Sequence, residues 1–132
     1  MTTQISILND LYDQIPAGTN KQKHTIDPIN KFPCVVIGLN RDPDKRYFTT
    51  MNKSVANRFS YNFYMIIDRK KHRSWDEAFE EAENKAITVL TALSALKSIV
   101  WEDIILSPNN WDGKDVAIAF SVITVKNAQR RG

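Results

Sequence analysis

The side chains able to do chemistry in this sequence are few, and each candidate set meets a physical objection. His24 and His72 lie far apart, and neither has a cysteine or a second histidine at the short spacings that close a zinc site. Cys34 with His72 would make a nucleophile and base, since a thiolate needs a neighbouring imidazole to draw off its proton. Cys34 stands, however, in the run Cys34-Val35-Val36-Ile37, whose apolar character predicts a buried, inert thiol. The four glycines form no phosphate-cradling spacing of the Walker or dinucleotide type. Asp76, Glu77, Glu80, Glu81 and Glu83 crowd one segment, but on a solvated helix face nothing would push one carboxyl pKa away from another to divide acid and base roles. The expectation is a protein that is not an enzyme and that needs no metal or cofactor.

Charge is distributed more tellingly than its total. The formal charge is +3, from 18 Lys and Arg against 15 Asp and Glu. Between Arg41 and Arg73 stand nine cations (Arg41, Lys45, Arg46, Lys53, Arg58, Arg69, Lys70, Lys71 and Arg73) against three acids (Asp42, Asp44 and Asp68). The acid-rich segment follows at once, so adjoining stretches carry opposite sign, an arrangement suited to contacts within a chain or between copies of it. Tyr47, Phe48, Phe59, Tyr61 and Tyr64 are interleaved with the cations, which opens the alternative of a non-specific nucleic-acid-binding α+β domain using the basic 41–73 region. Alternation turns Phe59 and Tyr61 to the core and leaves Tyr64 as the stacking candidate, and no RNA- or DNA-binding signature accompanies them.

The elements that must position these residues follow from periodicity. Phe59, Tyr61, Phe63, Met65 and Ile67 fall at every second position and predict a strand over 59–68. After the basic turn, Ser74 stands three residues before Glu77, the spacing of a capping box, and opens a helix over 75–97 with Trp75, Phe79, Ala82, Ala86, Leu90, Leu93 and Leu96 on one stripe. Ile5, Leu8, Leu11, Tyr12 and Ile15 predict a short N-terminal helix closed by Pro16 and Gly18. Residues 19–31 read as polar and irregular, and 34–39 as a strand. Residues 40–58 lack a period and read as either an extended hairpin or a functional loop. A strand over 99–106 that stops at Pro108 and one over 115–126 with two apolar faces, joined through an Asp-Gly turn, make a hairpin. The expected fold class is therefore α+β: a single layer of largely antiparallel sheet in the order α-β-β-α-β-β, with a long helix packed on one face. With 132 residues, 42% of them hydrophobic and 25% charged, the chain reads as one domain, 1–132, able to bury a core without disulfides. Nothing in it reads as a membrane span, and its first residues lack the cationic start and apolar run of a signal peptide, so synthesis and retention in a cytosol are expected.

The pattern Ile5-x-x-Leu8-x-x-Leu11, then Pro16, a Phe32-Pro33 step into an apolar strand, the central strand, basic turn and helix, and the C-terminal hairpin together resemble tail terminator proteins of long-tailed bacteriophages. The resemblance spans nearly the whole chain and rests on element order and on segments 32–36 and 59–96; neck and tail-completion proteins share that order. It implies a tail-terminator-like α+β domain that catalyses nothing and assembles as a homohexameric ring. Such a ring caps the finished tail tube, contacts the tube protein and the head-side connector or neck proteins, and leaves a lumen for the genome. It would be made in the host cytoplasm and reside in the virion at the head-tail junction. On that reading Arg41, Lys45, Arg46, Lys53 and Arg58 face the lumen or a partner, with weak and transient contact to DNA. Arg69, Lys70, Lys71 and Arg73 against Asp76, Glu77, Glu80 and Glu81 are, on charge alone, the two sides of a subunit interface.

Overall fold

The central alternating segment becomes the spine of a mixed sheet. In the computed structural model, which describes residues 3–16, 18–24, 31–40, 47–49, 55–95, 99–111 and 113–129, that strand runs Val55–Asp68. For 47–49, 55–58 and 126–129 only the backbone is described. The element order is α1 (Gln4–Gln14), β1 (Asn20–Lys23), β2 (Cys34–Leu39), β3 (Tyr47–Thr49), β4 (Val55–Asp68), a 3-10 turn (Arg69–Lys71), α2 (Trp75–Leu93), β5 (Ile99–Trp101), β6 (Ile105–Trp111) and β7 (Lys114–Gln129). The expected order α-β-β-α-β-β is thus overturned. Among the described residues the sheet has seven strands, ordered β1-β2-β4-β7-β5, with β3 beside β4 and β6 beside β7, and it is mixed because β1 runs parallel to β2. Both helices, not one, pack into the same cluster on one sheet face.

That cluster follows the alternation. Phe59, Tyr61, Phe63, Met65 and Ile67 are all buried on the helix side, with Val35 and Ile37 of β2 and Ala117, Ala119 and Ile123 of β7. Small residues let α2 approach closely: Ala78, Ala82 and Ala86 face a sheet whose β7 contributes alanines, while Val89, Leu90 and Leu93 fill the space toward the helix end. Trp75 and Phe79, expected on the stripe, lie at its margin, half-buried and stacked at 5.6 Å. The helix ends at Leu93, four residues short of the expectation and without Gly or Pro. Ser94 donates both its amide and its hydroxyl to the Leu90 carbonyl at 2.9 Å, and its oxygen in turn accepts the Trp101 indole N–H at 3.2 Å.

Two strands escaped the periodicity for physical reasons. β1 carries no apolar residue; it is held by side chains, with Asn20 donating to the Pro33 carbonyl (3.0 Å), Lys21 to the Tyr12 carbonyl (3.0 Å) and Lys23 to Asn9 (2.9 Å). β3 pairs Tyr47–Thr49 with Val55–Asn57, so the hairpin alternative for residues 40–58 holds where that stretch is described.

The expected strand over 99–106 is two strands separated by a bulge. Val100 pairs with Thr124 and Ile105 with Phe120, so five steps on this edge face four on β7 and one residue is extra. The Glu102 amide donates to the Val122 carbonyl at 3.0 Å, and the buried Ser121 hydroxyl donates to the Glu102 carbonyl at 2.7 Å, fixing the bulge from both sides. Nor does the strand stop at Pro108. Trp111 and Lys114 close a two-residue turn containing Gly113 at φ 84, so Ile105, Ser107, Asn109 and Trp111 point their backbone groups at β7. Leu106, Pro108 and Asn110 point outward, and a proline on an edge strand loses nothing where its missing N–H would face solvent.

Candidate assembly surfaces

The basic turn is built by its ends. Asp68 closes β4 and accepts the Lys70 amide at 3.0 Å, which turns the chain through Arg69–Lys71. Ser74 then caps α2, accepting the Glu77 amide at 3.2 Å. The Glu77 carboxylate reaches back as expected, but to the Arg73 amide (3.3 Å) and to His72 Nδ1 (3.2 Å). Glu81 lies 3.2 Å from His72 Nε2, so the imidazole is clasped between two carboxylates with only 12% of its side chain exposed. Arg69 donates to the His72 carbonyl at 2.8 Å, lays its guanidinium 5.5 Å from the Trp75 ring centroid, and keeps a buried Nε without a partner.

These contacts divide the eight charge-selected residues. Glu77, Glu81 and Arg69 are turned onto their own chain. Lys70, Lys71, Arg73, Asp76 and Glu80 are exposed, with no ion pair among the described residues. The basic turn and the acidic helix start are therefore neighbours within one subunit. Of the five loop cations, Arg41, Lys45, Arg46 and Lys53 fall outside the described residues, and Arg58 is described only as backbone, opposite Lys126 in β4 and β7.

The sequence pointed less clearly to the face of the sheet that carries no helix among the described residues. Cys34, Val36, Ile66, Val116 and Ile118 are buried there, ringed by half-buried Phe32, Tyr64, Trp111 and Phe120. Tyr64, the stacking candidate, packs 5.1 Å from Phe120 and 5.9 Å from Trp111, ring to ring, so its ring neighbours among the described residues are aromatics of the same face. Along the edge beside it, Val100 is 60% exposed and Ile105 59%, on either side of exposed Glu102 and Asp103. Neither carboxylate has an ion-pair partner among the described residues. A signal was present in the sequence: apolar residues at 99–101 and 104–106 with two acids between them break strict alternation, as a bulge does.

Other chemistry is weakly seated. Burial pushes the Cys34 thiol from 9.0 up to about 11, and Cys34 packs on the helix-free face while His72 is held by carboxylates of α2. His24 ends β1 at φ 65 as a turn residue, its amide donating to the Ile37 carbonyl at 2.8 Å. Among the described residues no three His, Cys, Asp or Glu side chains gather as a metal set, and no helix is long and apolar enough to cross a membrane. A groove of about 280 Å³ between α2 and the approach to β1 is floored by Met65 and Val89, with Lys85 on its lining. No model of a known protein family and no curated protein matches the chain.

Proposed function

We propose that this chain is a structural virion protein of a long-tailed bacteriophage, a subunit of a ring that caps the tail tube and joins it to the head-side connector. The observation that carries the proposal is the edge of the sheet, where Val100 and Ile105 stand more than half exposed beside Glu102 and Asp103, acids with no ion pair among the described residues. Large apolar side chains clustered at a polar rim are the composition of a protein contact surface. The segments behind the resemblance support the same reading, since the N-terminal helix, the strand after Phe32-Pro33, the strand-turn-helix centre and the C-terminal hairpin are each an element of the fold.

A ring works by geometry, without a reaction. Its subunits bury one patch of each copy against a different patch of the next, which stops growth of the stack beneath and leaves a lumen on the axis. The cations of residues 41–58 would meet passing DNA only through its phosphates, so such contact is weak, sequence-independent and lost as salt rises. Mixing the purified protein with tail tubes that lack a terminator tests the proposal by electron microscopy. Density seated on one tube end is the expected result; protein that ignores both ends, or coats the sides, contradicts it.

A further inference from the structure

We infer that the acidic, apolar bulge on the open edge of the sheet docks on the basic turn of a second copy of this chain. The inference rests on the ring reading above, and it names Glu102 and Asp103, in place of the start of α2, as the acidic partners. Glu77 and Glu81 are committed to His72 of their own chain at 3.2 Å each, whereas Glu102 and Asp103 are exposed and unpaired among the described residues. Lys70, Lys71 and Arg73 are likewise exposed and unpaired, beside the half-buried Trp75–Phe79 stack. Each patch thus joins charge to apolar surface, and the cations Lys70, Lys71 and Arg73 are opposite in sign to Glu102 and Asp103.

Within one chain they cannot meet. The basic turn follows Asp68, which pairs with Val116, while Glu102 bonds to Val122. Six residues of extended β7 separate the two levels, about 20 Å at ~3.3 Å per residue. Two complementary patches held apart on a rigid sheet are what a heterologous, closing interface requires. Asp76 and Glu80 remain beside the cations and weaken the net attraction, so apolar burial of Val100 and Ile105 supplies the affinity and the charges set the register.

The contact is made by side chains and not by strand addition. On the outward side of β6, Pro108 has no N–H to give, and the Asn110 amide is already taken by Asn109 Oδ1 at 2.7 Å. The bulge breaks the ladder above it. A second copy therefore reads the edge through Val100, Glu102, Asp103 and Ile105.

Two variants test this in native mass spectrometry and sedimentation velocity. Val100→Asp with Ile105→Asp disables the bulge, and Lys70→Glu with Lys71→Glu disables the turn. All four residues are exposed, and thermal melts check that folding is kept. Should an aspartate disturb the edge, Val100→Ser with Ile105→Ser replaces it. Each variant alone should associate at least tenfold more weakly than the wild type. Their equimolar mixture should form a one-to-one pair that grows no further, because only one good bulge and one good turn remain. Variants that assemble as the wild type does, a mixture that stays monomeric, or a closed symmetric dimer overturn the interface while leaving rings possible through other surfaces. A wild type that is monomeric at every concentration overturns both the interface and the ring reading.

Discussion

Burial decides what Cys34 can do. Its folded thiol titrates at about 11 against an ordinary 9.0, because the neutral form is the one the apolar face tolerates. A pKa raised on folding means the unfolded chain releases its proton first as pH climbs. The stabilisation is complete below about pH 9.0 and is lost as pH rises through about 11. Urea melts between those values should therefore show the wild type losing stability faster than Cys34→Ala, which has nothing to titrate; parallel curves would mean the thiol is hydrated in the folded state. Leu90 makes the complementary test of the helix side. Fully buried between α2 and the sheet, its truncation to Ala should cost about 2–5 kcal/mol, and an unchanged melting temperature would deny that packing.

Among the elements, the bulge between β5 and β6 is held by one backbone bond, from the Glu102 amide to the Val122 carbonyl, and by one buried hydroxyl, that of Ser121. Ser121→Ala removes the donor to the Glu102 carbonyl and should lower stability by about 0.5–1.5 kcal/mol in a denaturant titration. It should also weaken self-association, since the loosened bulge no longer fixes Glu102 and Asp103. A variant with wild-type assembly would separate the bulge from the interface. The elements read most directly from sequence were those held by apolar side chains, β2 as a continuous apolar run with its bounds intact and β4 by alternation from Phe59 onward. Those held by polar side chains were not legible: β1 is anchored through Asn20, Lys21 and Lys23, and nothing in their order has a period. Pro108 misled in the other direction, because a proline ends a central strand but sits freely on an edge whose backbone faces solvent. At the candidate surfaces, exposure of Lys70 and Lys71 could be read from the run of charges. The capture of Glu77 and Glu81 by His72 could not, since it depends on where the turn sets the imidazole against the first turns of α2.

At the scale of the whole molecule, one sheet face is covered by the two helices, and the other carries a second buried cluster ringed by Phe32, Tyr64, Trp111 and Phe120, with an exposed apolar, acid-bordered strand edge beside it. That asymmetry is of little use to an isolated monomer and suits a subunit with different neighbours on its two flanks. Native mass measurement of the untagged protein across a wide concentration range, at low salt, tests the central claim most directly. The ring account predicts a closed species of six chains that grows with concentration and that rising salt weakens without abolishing. A monomer at every concentration, or a dimer that salt leaves untouched, would contradict it.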